Sequence, residues 1–358
     1  MSNKSSQSGQ FSSIKIIGSG LIGTSIGLAL ASKGVSVEMA DIDPKAAKLA
    51  NDLVASAPAP TPEIVLYAGP SSGLNSALES EFKVNSASKF IDIGSVKTKS
   101  LLEVSQSAVP TRQFLATHPM AGREVGGAES ARADLFQGRP WIIDAQGVDA
   151  DVVAAGVELI ELLGAHQIDL DSASHDKAVA LVSHLPQLVA SLLAKQLGGA
   201  EEGWLDLAGA GLRDTTRIAG SDSKLWREII TANSRALSPL LKSLQSDLTA
   251  LIASLEDEEV VSDFIEAGQK GRARIPGKHG GKAREYTYLP IVIEDKPGQL
   301  AALFDECADA SVNVEDLTIE HSPGQFTGLI TLALSKADAV TLAEHLRSNG
   351  WSVHSPRS

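Results

Sequence analysis

The sequence predicts an α/β protein in which a doubly wound, mostly parallel sheet is followed by an all-α helical domain and then by a small α+β domain. Three observations support this order. Short β-rich runs alternate with helical segments from Ile14 to about Asp171, only helical periodicity follows to about Gln269, and strands return from Tyr286. A chain of 358 residues can form several domains, because one domain typically holds roughly 100 to 200 residues. The expected domains span residues 13–171, 172–269 and 286–358.

A glycine-rich turn at residues 18–23 follows the first predicted strand, Ile14–Ile17, and opens an apolar segment that ends at Gly34. In a Gly-x-Gly-x-x-Gly turn the first glycine permits the bend, the second lets backbone N–H groups approach a pyrophosphate, and the third lets the helix pack against the strand. The helix N-terminus adds partial positive charge. This pattern predicts a Rossmann-like dinucleotide-binding domain. The expected cofactor-binding residues in the turn are Gly18, Gly20, Leu21, Ile22 and Gly23.

An aspartate at the end of the second predicted strand, Val35–Ala40, bears on the choice of cofactor. Asp41 lies 23 residues after Gly18, where a carboxylate can accept hydrogen bonds from the adenosine ribose hydroxyls. Asp41 therefore favours NAD, with NADP not excluded. The alternative is that Asp41 and Asp43 only cap the helix that begins near Pro44, and we expect Asp43 to be that cap.

Composition and charge narrow the classes of partner. The net charge of −13 and the isoelectric point near 5.1 disfavour nucleic acid, which is bound by clustered Lys and Arg. Cys307 is the only cysteine, so a reducing compartment is expected, and no Cys/His cluster has the spacing of a metal site. No apolar run approaches the roughly 18 to 20 residues that span a bilayer. We expect a cytoplasmic protein with a disordered tail at 1–12, no metal and no membrane partner.

The helical domain and the segment after it have two interpretations each. Long apolar helices at Ser174–Leu197 and Leu225–Leu255 favour a homodimer, although they could form the core of a monomer. The stretch Gly268–Arg284 carries six Lys or Arg residues, five glycines and no acidic residue. It predicts an exposed basic linker at 270–285, with an anionic ligand over its cations as the alternative.

The C-terminal segment from Tyr286 has the predicted order β-α-β-β-α-β, a ferredoxin-like plait. It resembles an ACT domain in this order and in the turn Asp295-Lys296-Pro297-Gly298, which is followed later by Val312-Asn313-Val314. ACT-like domains often sense small molecules in enzymes of amino-acid pathways. The resemblance implies an aromatic amino-acid effector, and a structural plait without a ligand is the alternative.

Three segments carry polar groups where packing alone would not require them. Ser95 and His118 each follow a predicted strand, at the sheet edge where open α/β sheets bind ligands. The third segment, 209–219, places two arginines and Asp214 in an otherwise apolar helical domain, and such charges need a partner.

In their order along the chain, these segments resemble the prephenate/arogenate dehydrogenase family of tyrosine biosynthesis. The resemblance runs from Ile14 to about Leu255. The motifs are His-Pro-Met-Ala-Gly from His118, His175-Asp176, Ser183-His184-Leu-Pro, Asp-x-Thr-Arg-Ile-Ala around Arg217, and Leu-Trp-Arg around Trp226. The family implies an oxidative decarboxylation in which hydride leaves C4 of the cyclohexadienyl ring for NAD, the C4 hydroxyl gives up its proton, CO2 departs and the ring becomes aromatic.

The residue types suit that reaction. A neutral imidazole at His118 can take the hydroxyl proton as the catalytic base, and Ser95 can bind the same hydroxyl or orient the ring. Arg217 offers a planar fork to a substrate carboxylate. Glu124 and Asp214 could form an ionic network or contact the amino group of arogenate. The resemblance also places His184 and Trp226 in the pocket wall.

Plainer interpretations stand beside these roles. His118 could be a turn histidine, Arg217 could pair only with Asp214, and His184 or Trp226 could be core residues. His175 and Asp176 could simply start a helix. For the whole chain, the alternatives are an arogenate or dual-specificity dehydrogenase, another hydroxyacid dehydrogenase or imine reductase with the same domain plan, and a non-catalytic sensor of NAD and amino acids.

Overall fold

The computed structural model describes residues 11–123, 125–275, 286–321 and 326–357. The chain divides into two compact units, Met1–Asp247 and Leu248–Ser358. The predicted disordered tail falls mostly on residues outside the described ranges. Its last two residues are placed, however, and Phe11 is only 4% exposed within the core of the first unit. The prediction of a tail as far as residue 12 was therefore wrong for Phe11 and Ser12, because Phe11 buries an apolar ring.

A seven-stranded sheet forms the first part of the first unit, with strand order β2-β1-β3-β4-β5-β6-β7. All neighbouring strands are parallel except β5 and β6, which are antiparallel. The predicted strands Ile14–Ile17 and Val35–Ala40 agree with β1 and β2 to within one residue at each end. The strands are β1 (Ser13–Ile17), β2 (Ser36–Ala40), β3 (Ile64–Tyr67), β4 (Lys89–Asp92), β5 (Phe114–Pro119), β6 (Pro140–Asp144) and β7 (His166–Asp169).

Helices connect these strands and bury their apolar sides against the sheet. Near-continuous β-branched and aromatic runs such as β3, which is buried at every position, are typical of strands covered on both faces. The doubly wound Rossmann-like sheet predicted from the alternation is thus observed. The helices are α1 (Leu21–Ala31), α2 (Pro44–Val54), α3 (Leu74–Val84), α4 (Lys97–Ser105) and α5 (Ala150–Leu162).

The helical part of the first unit begins with a continuous helix, Ser172–Gly199, that contains a wider π-turn. The turn covers Ala180–His184, just before Pro186. A proline has no N–H for the carbonyl four residues earlier and its ring crowds that carbonyl, so a wider turn lets the helix pass it. The segments on either side are α6 (Ser172–Val179) and α7 (Leu185–Gln196), followed by α8 (Ala210–Thr216), α9 (Ser223–Ala232) and α10 (Ser234–Ala253), of which the residues up to Asp247 belong to this unit.

Two features of this helical part differ from expectation. The helix predicted over Leu225–Leu255 is divided at Asn233 into α9 and α10. In addition, Ser172–Gly199 is, by length and composition alone, apolar enough to cross a membrane, with 28% of its apolar window buried. This helix also holds buried polar side chains bonded to other elements, which is typical of a helix inside a folded domain. Absence of a membrane and a cytoplasmic location stay predictions.

The second unit contains α11 (Glu258–Arg272), which corrects the predicted linker. Lys270 and Arg272 lie in the last turn of this helix, where cations are favoured by the helix dipole, so the linker does not begin at residue 270. Residues 276–285 lie outside the described ranges.

The rest of the second unit follows the predicted order β-α-β-β-α-β and forms a four-stranded antiparallel sheet, β11-β8-β10-β9. Alternate residues of β8, which are Leu289, Ile291 and Ile293, join buried residues of β10 and of the two helices in one core. The elements are β8 (Thr287–Glu294), α12 (Gln299–Asp309), β9 (Asp316–His321), β10 (Thr327–Leu334), α13 (Lys336–Ser348) and β11 (Ser352–Val353).

Candidate active site

The glycine-rich turn has the backbone form that the sequence predicted. Gly18 has φ +116°, and a Cβ there would lie 2.6 Å from the backbone carbonyl carbon of Ala68. A Cβ at Gly23 would lie 2.0 Å from the carbonyl oxygen of Gly18, so both positions require glycine. By contrast, a Cβ at Gly20 would meet nothing within 4 Å. The turn is thus tight on its inner side and open at Gly20, the N-cap of α1, where an anionic group could approach.

Asp41 and Asp43 separate into different roles. Asp43 caps α2, since its carboxylate accepts a hydrogen bond from Lys45 N at 2.9 Å, and the prediction for Asp43 is confirmed. Asp41 instead accepts hydrogen bonds from Ser19 N at 2.7 Å and Asp43 N at 2.9 Å. It therefore ties the end of β2 to the glycine-rich turn, beside the open position at Gly20.

A buried ion pair supports the carboxyl edge of β4 and β5. Lys97, with no exposed surface, donates from Nζ to both carboxylate oxygens of Asp92 at 2.8 and 2.7 Å, and also to the carbonyl oxygen of Thr117. Ser100 donates to the same carboxylate at 2.7 Å. Burial lowers the pKa of Lys97, while the charge of Asp92 opposes that shift. The pair fixes the strand end that leads directly into His118.

Three side chains form a hydrogen-bonded chain from α6 to β5. His118 Nδ1 lies 2.9 Å from His175 Nε2, and His175 Nδ1 lies 2.8 Å from Asp176 Oδ1. The two rings meet edge to face, with centroids 5.1 Å apart. Asp176 also accepts hydrogen bonds from Lys97 N at 2.8 Å and from the backbone and hydroxyl of Thr98. This chain joins the helical part to the sheet edge.

The direction of the hydrogen bonds in this chain follows from Asp176. Burial works to raise the pKa of Asp176, but the hydrogen bonds from His175, Thr98 and Lys97 outweigh it and hold the pKa below its usual value. An ionised carboxylate only accepts, so His175 Nδ1 carries hydrogen, and with its hydrogen on Nδ1 alone the ring accepts at Nε2 from His118 Nδ1. His118 Nε2 is then an acceptor.

His118 is held in its neutral form. Burial lowers its pKa well below 6.5, and the charge of Lys97 lowers it further. The ring nevertheless belongs to a partly exposed residue, whereas His175 and Asp176 are buried. A neutral, partly accessible imidazole with an acceptor nitrogen can accept a proton from a hydroxyl group.

A second histidine lies in the π-turn and close enough to His118 to influence its pKa. His184 is 2% exposed, and its ring meets the Trp226 ring edge to face with centroids 6.0 Å apart. Asn233 Nδ2 lies 3.1 Å from His184 Nδ1 and donates to the carbonyl oxygen of Asp176 at 2.7 Å. Burial lowers the pKa of His184 to about 4, with the nearby charge of Asp176 opposing the shift.

The structure thus brings His118, His184 and Trp226 into one cluster. The other predicted site residues differ in their position and exposure. Ser95 lies between β4 and α4, partly exposed and two residues before Lys97. Asp214 and Arg217 are exposed, in α8 and the 3-10 turn that packs against α7. Glu124 lies outside the described residues. Within the described ranges no group of three or more His, Cys, Asp or Glu residues could hold a metal ion.

Sequence reasoning did not assign roles to four buried polar residues of this cluster, which are Lys97, His175, Asp176 and Asn233. The plainer alternative, in which His175 and Asp176 only start a helix, does not hold, because Asp171 is the N-cap of α6 and His175 lies a full turn further on. A signal was present in the sequence: ionisable residues within an apolar helical segment need polar partners.

A nucleotide-type turn and a neutral imidazole at the carboxyl edge of a doubly wound sheet define a dehydrogenase of the Rossmann-like class. Comparison with known proteins agrees. Residues 26–169 match the family model described as prephenate dehydrogenase, nucleotide-binding domain, and residues 171–267 match the one described as prephenate dehydrogenase, dimerization domain.

Individual relatives extend this match. A probable prephenate dehydrogenase of Streptomyces niveus is 31% identical over 95% of this chain and 99% of its own length. A cyclohexadienyl dehydrogenase of Zymomonas mobilis is 34% identical over 52% of this chain and 66% of its own. The crystal structure of prephenate dehydrogenase from A. aeolicus, in complex with hydroxyphenyl propionate and NAD+, has a TM-score of 0.65 at 24% identity, covering 74% of this chain and 99% of that one. The chain belongs to the prephenate dehydrogenase family.

Proposed function

We propose that this protein is an NAD-dependent prephenate dehydrogenase that converts prephenate to 4-hydroxyphenylpyruvate. The observation that carries the proposal is the chain from Asp176 through His175 to His118, which leaves an acceptor nitrogen at the carboxyl edge of a nucleotide-binding sheet. In the reaction the C4 hydrogen leaves as hydride, the bond from C1 to the carboxylate breaks to release CO2, and its electron pair completes the aromatic ring. NAD supplies the hydride acceptor.

His118 acts on the C4 hydroxyl. As hydride departs, positive charge develops on the hydroxyl oxygen, and Nε2 accepts its proton. The proton returns to the phenol oxygen when decarboxylation restores electron density there, so the base is regenerated. Because His118 is neutral through the neutral pH range, no prior deprotonation is needed. Ser95 at the adjacent strand end binds the same hydroxyl or orients the imidazole.

The residues of the glycine-rich turn fit a dinucleotide. The open side of Gly20 admits a pyrophosphate to the N-terminus of α1, and Gly18 and Gly23 keep the backbone tight enough for that approach. Leu21 and Ile22 form the first turn of that helix. Asp41, beside the turn, binds the ribose hydroxyls and repels the additional phosphate of NADP.

The remaining substrate contacts come from the helical part. Arg217 binds the side-chain carboxylate of the substrate with its planar guanidinium group. Asp214, three residues before Arg217 in the chain, adds negative charge near that arginine, and Trp226 forms part of the pocket wall. A change of Arg217 to Ala is expected to raise KM about ten- to hundredfold, because a hydrogen bond to a charged group contributes roughly 1.5–3 kcal/mol.

Steady-state rates test the function directly. Purified protein is assayed for NADH or NADPH formation with prephenate and with arogenate, and with a simple 3-hydroxy acid as the substrate of a competing dehydrogenase class. The proposal expects NADH from prephenate, and loss of turnover in His118→Asn with NAD binding retained. Turnover of the hydroxy acid alone would support the competing class, and no turnover of any substrate would support the sensor.

The same proposal includes a homodimer formed by the helical part. Between residues 180 and 247 the buried apolar side chains among the described residues are few, namely Ala180, Ala190 and Leu237, so this segment lacks a core of its own. Many large apolar side chains there are at least 37% exposed, and a second copy covering them supplies the missing core. These are Leu181, Val182, Val189, Leu192, Leu193, Trp204, Leu205, Leu207, Leu225 and Leu244. Sedimentation of the purified chain at micromolar concentration tests this dimer.

For the second unit we propose an ACT-like domain that binds an aromatic amino acid as effector. The antiparallel order β11-β8-β10-β9 and the turn from Asp295 to Gly298 before α12 support the assignment. Gly298 has φ +88°, a conformation that suits glycine. Tyrosine is expected to inhibit the full-length enzyme, and Gly298→Val is expected to relieve inhibition with kcat unchanged. Equal inhibition of both proteins would place the effector elsewhere, such as the active site.

A further inference from the structure

We propose that Asn233 is a positioning residue that keeps His184 with its hydrogen on Nε2, so that this ring donates a hydrogen bond to the side-chain keto oxygen of the substrate. The inference rests on the proposed function and adds a reason for preferring prephenate to arogenate. It concerns a residue that lies at the break between α9 and α10 and is 3% exposed.

The orientation of the Asn233 amide is fixed by a backbone carbonyl. The amide atom that lies 2.7 Å from the carbonyl oxygen of Asp176 must be the nitrogen, because a carbonyl oxygen can only accept. The same nitrogen lies 3.1 Å from His184 Nδ1. Its two hydrogens therefore serve both neighbours, and His184 Nδ1 must be the acceptor.

A histidine whose Nδ1 accepts carries its hydrogen on Nε2 when the ring is neutral. Burial keeps His184 neutral, since its pKa is lowered to about 4. His184 is thus a donor at Nε2, whereas His118 is an acceptor at Nε2. Two neighbouring rings of the same residue type have opposite polarity because Asn233 orients one and Asp176, through His175, orients the other.

The substrate offers a matching group. In the proposed function the C4 hydroxyl meets His118 and the side-chain carboxylate meets Arg217. The keto oxygen of prephenate is bonded to the carbon next to that carboxylate, and the 3-10 turn Arg217–Gly220 packs against α7, which begins directly after His184. An uncharged N–H donor suits an uncharged keto oxygen. Arogenate has an ammonium group at this position, which is itself a donor and would face the N–H group of His184.

The change Asn233→Asp reverses the polarity of the contact. A carboxylate accepts from His184 Nδ1, so that in the neutral ring the hydrogen moves to Nδ1 and Nε2 becomes an acceptor. We expect the ratio of kcat/KM for prephenate to that for arogenate to fall by roughly ten- to hundredfold, the discrimination given by one hydrogen bond to a charged group. The matched control is Asn85→Asp, which makes the same atom change at the end of α3, where Oδ1 already accepts from Ala87 N. Its ratio should equal that of the wild type.

A spectroscopic measurement reads the tautomer itself. Nitrogen-15 spectra of histidine-labelled protein are recorded for the wild type and for Asn233→Asp, and the signals of His184 are assigned by their loss in His184→Gln. The wild type is expected to show hydrogen on Nε2 of His184, and the variant hydrogen on Nδ1. Hydrogen on Nδ1 in the wild type overturns the inference, as does a variant with an unchanged tautomer and an unchanged substrate ratio.

A second pair of variants covers the case in which Asn233→Asp does not fold. His184→Gln retains an N–H donor and should keep the preference for prephenate, whereas His184→Glu presents an acceptor and should shift the ratio toward arogenate. Equal ratios in the two variants contradict the inference. Failure of the proposed function has a different signature, because a wild type that turns over neither substrate can still show hydrogen on Nε2 of His184.

Discussion

The hydrogen bonds that link Asp176, His175 and His118 predict that substitutions at His175 lower kcat by different amounts. His175→Phe keeps a flat ring but removes both nitrogens, so His118 Nδ1 loses its acceptor at 2.9 Å and Asp176 loses its donor at 2.8 Å. Leaving such a buried group unsatisfied costs about 1–3 kcal/mol. Because one decade in rate corresponds to about 1.4 kcal/mol, kcat should fall about 5- to 150-fold. His118→Asn, which removes the base itself, should cost about 10²- to 10⁴-fold.

The matched variant is His175→Gln, whose amide can present its oxygen to His118 and its nitrogen to Asp176. Its kcat should lie between those of the wild type and His175→Phe. The control is Asp171→Asn on the same helix. Asp171 is an N-cap carboxylate that accepts a hydrogen bond from Ser174 N at 2.9 Å and takes no part in the hydrogen bonds from Asp176 to His118, so the kcat of this variant should not change.

The assay is initial-rate NADH formation at saturating prephenate and NAD, with thermal unfolding recorded for each variant to show that the protein is folded. A folded His175→Phe with kcat within twofold of the wild type would refute the reasoning. A folded His175→Gln as slow as His175→Phe would also refute the reasoning. If the two hydrogen bonds matter, an amide that restores both of them should recover part of the activity.

The same contacts lead to three further predictions. Because burial lowers the pKa of His118, protonation should reduce kcat/KM only well below pH 6.5, and a pH profile that declines at or above 6.5 would contradict this. Asp41→Asn should raise kcat/KM with NADP relative to NAD about tenfold, since the carboxylate that repels the extra phosphate is lost, and an unchanged ratio would remove Asp41 from cofactor selection. Lys97→Met should lower the free energy of unfolding by about 3–5 kcal/mol, because it leaves the carboxylate of Asp92 buried without its cation. The double variant Lys97→Met with Asp92→Asn should recover part of that loss in urea unfolding, and equal losses would show that the charge pair is not the cause.

Local patterns predicted most of the fold because each depends on a few neighbouring residues. The glycines at 18 and 23 are required by contacts of the turn with itself and with Ala68, and the apolar runs of the strands reflect burial on both faces. Two of the errors lie at segment ends. Phe11 belongs to the core although a polar stretch precedes it, and α11 continues to Arg272 although glycines and cations suggest a linker.

The glycine-rich turn, the order of strands and helices, and the motif that contains His118 could be predicted from the sequence, because they depend on local spacing and side-chain type. The direction of the site's hydrogen bonds depends instead on contacts between distant segments. Asp176 lies 58 residues after His118 in the chain and Asn233 lies 49 after His184, yet these residues set the polarity of the two rings through contacts of about 3 Å. Hydrogen-bond direction depends on which atoms meet, and that is determined when α6 packs against α4 at the sheet edge and Asn233 at the end of α9 reaches Asp176 and His184.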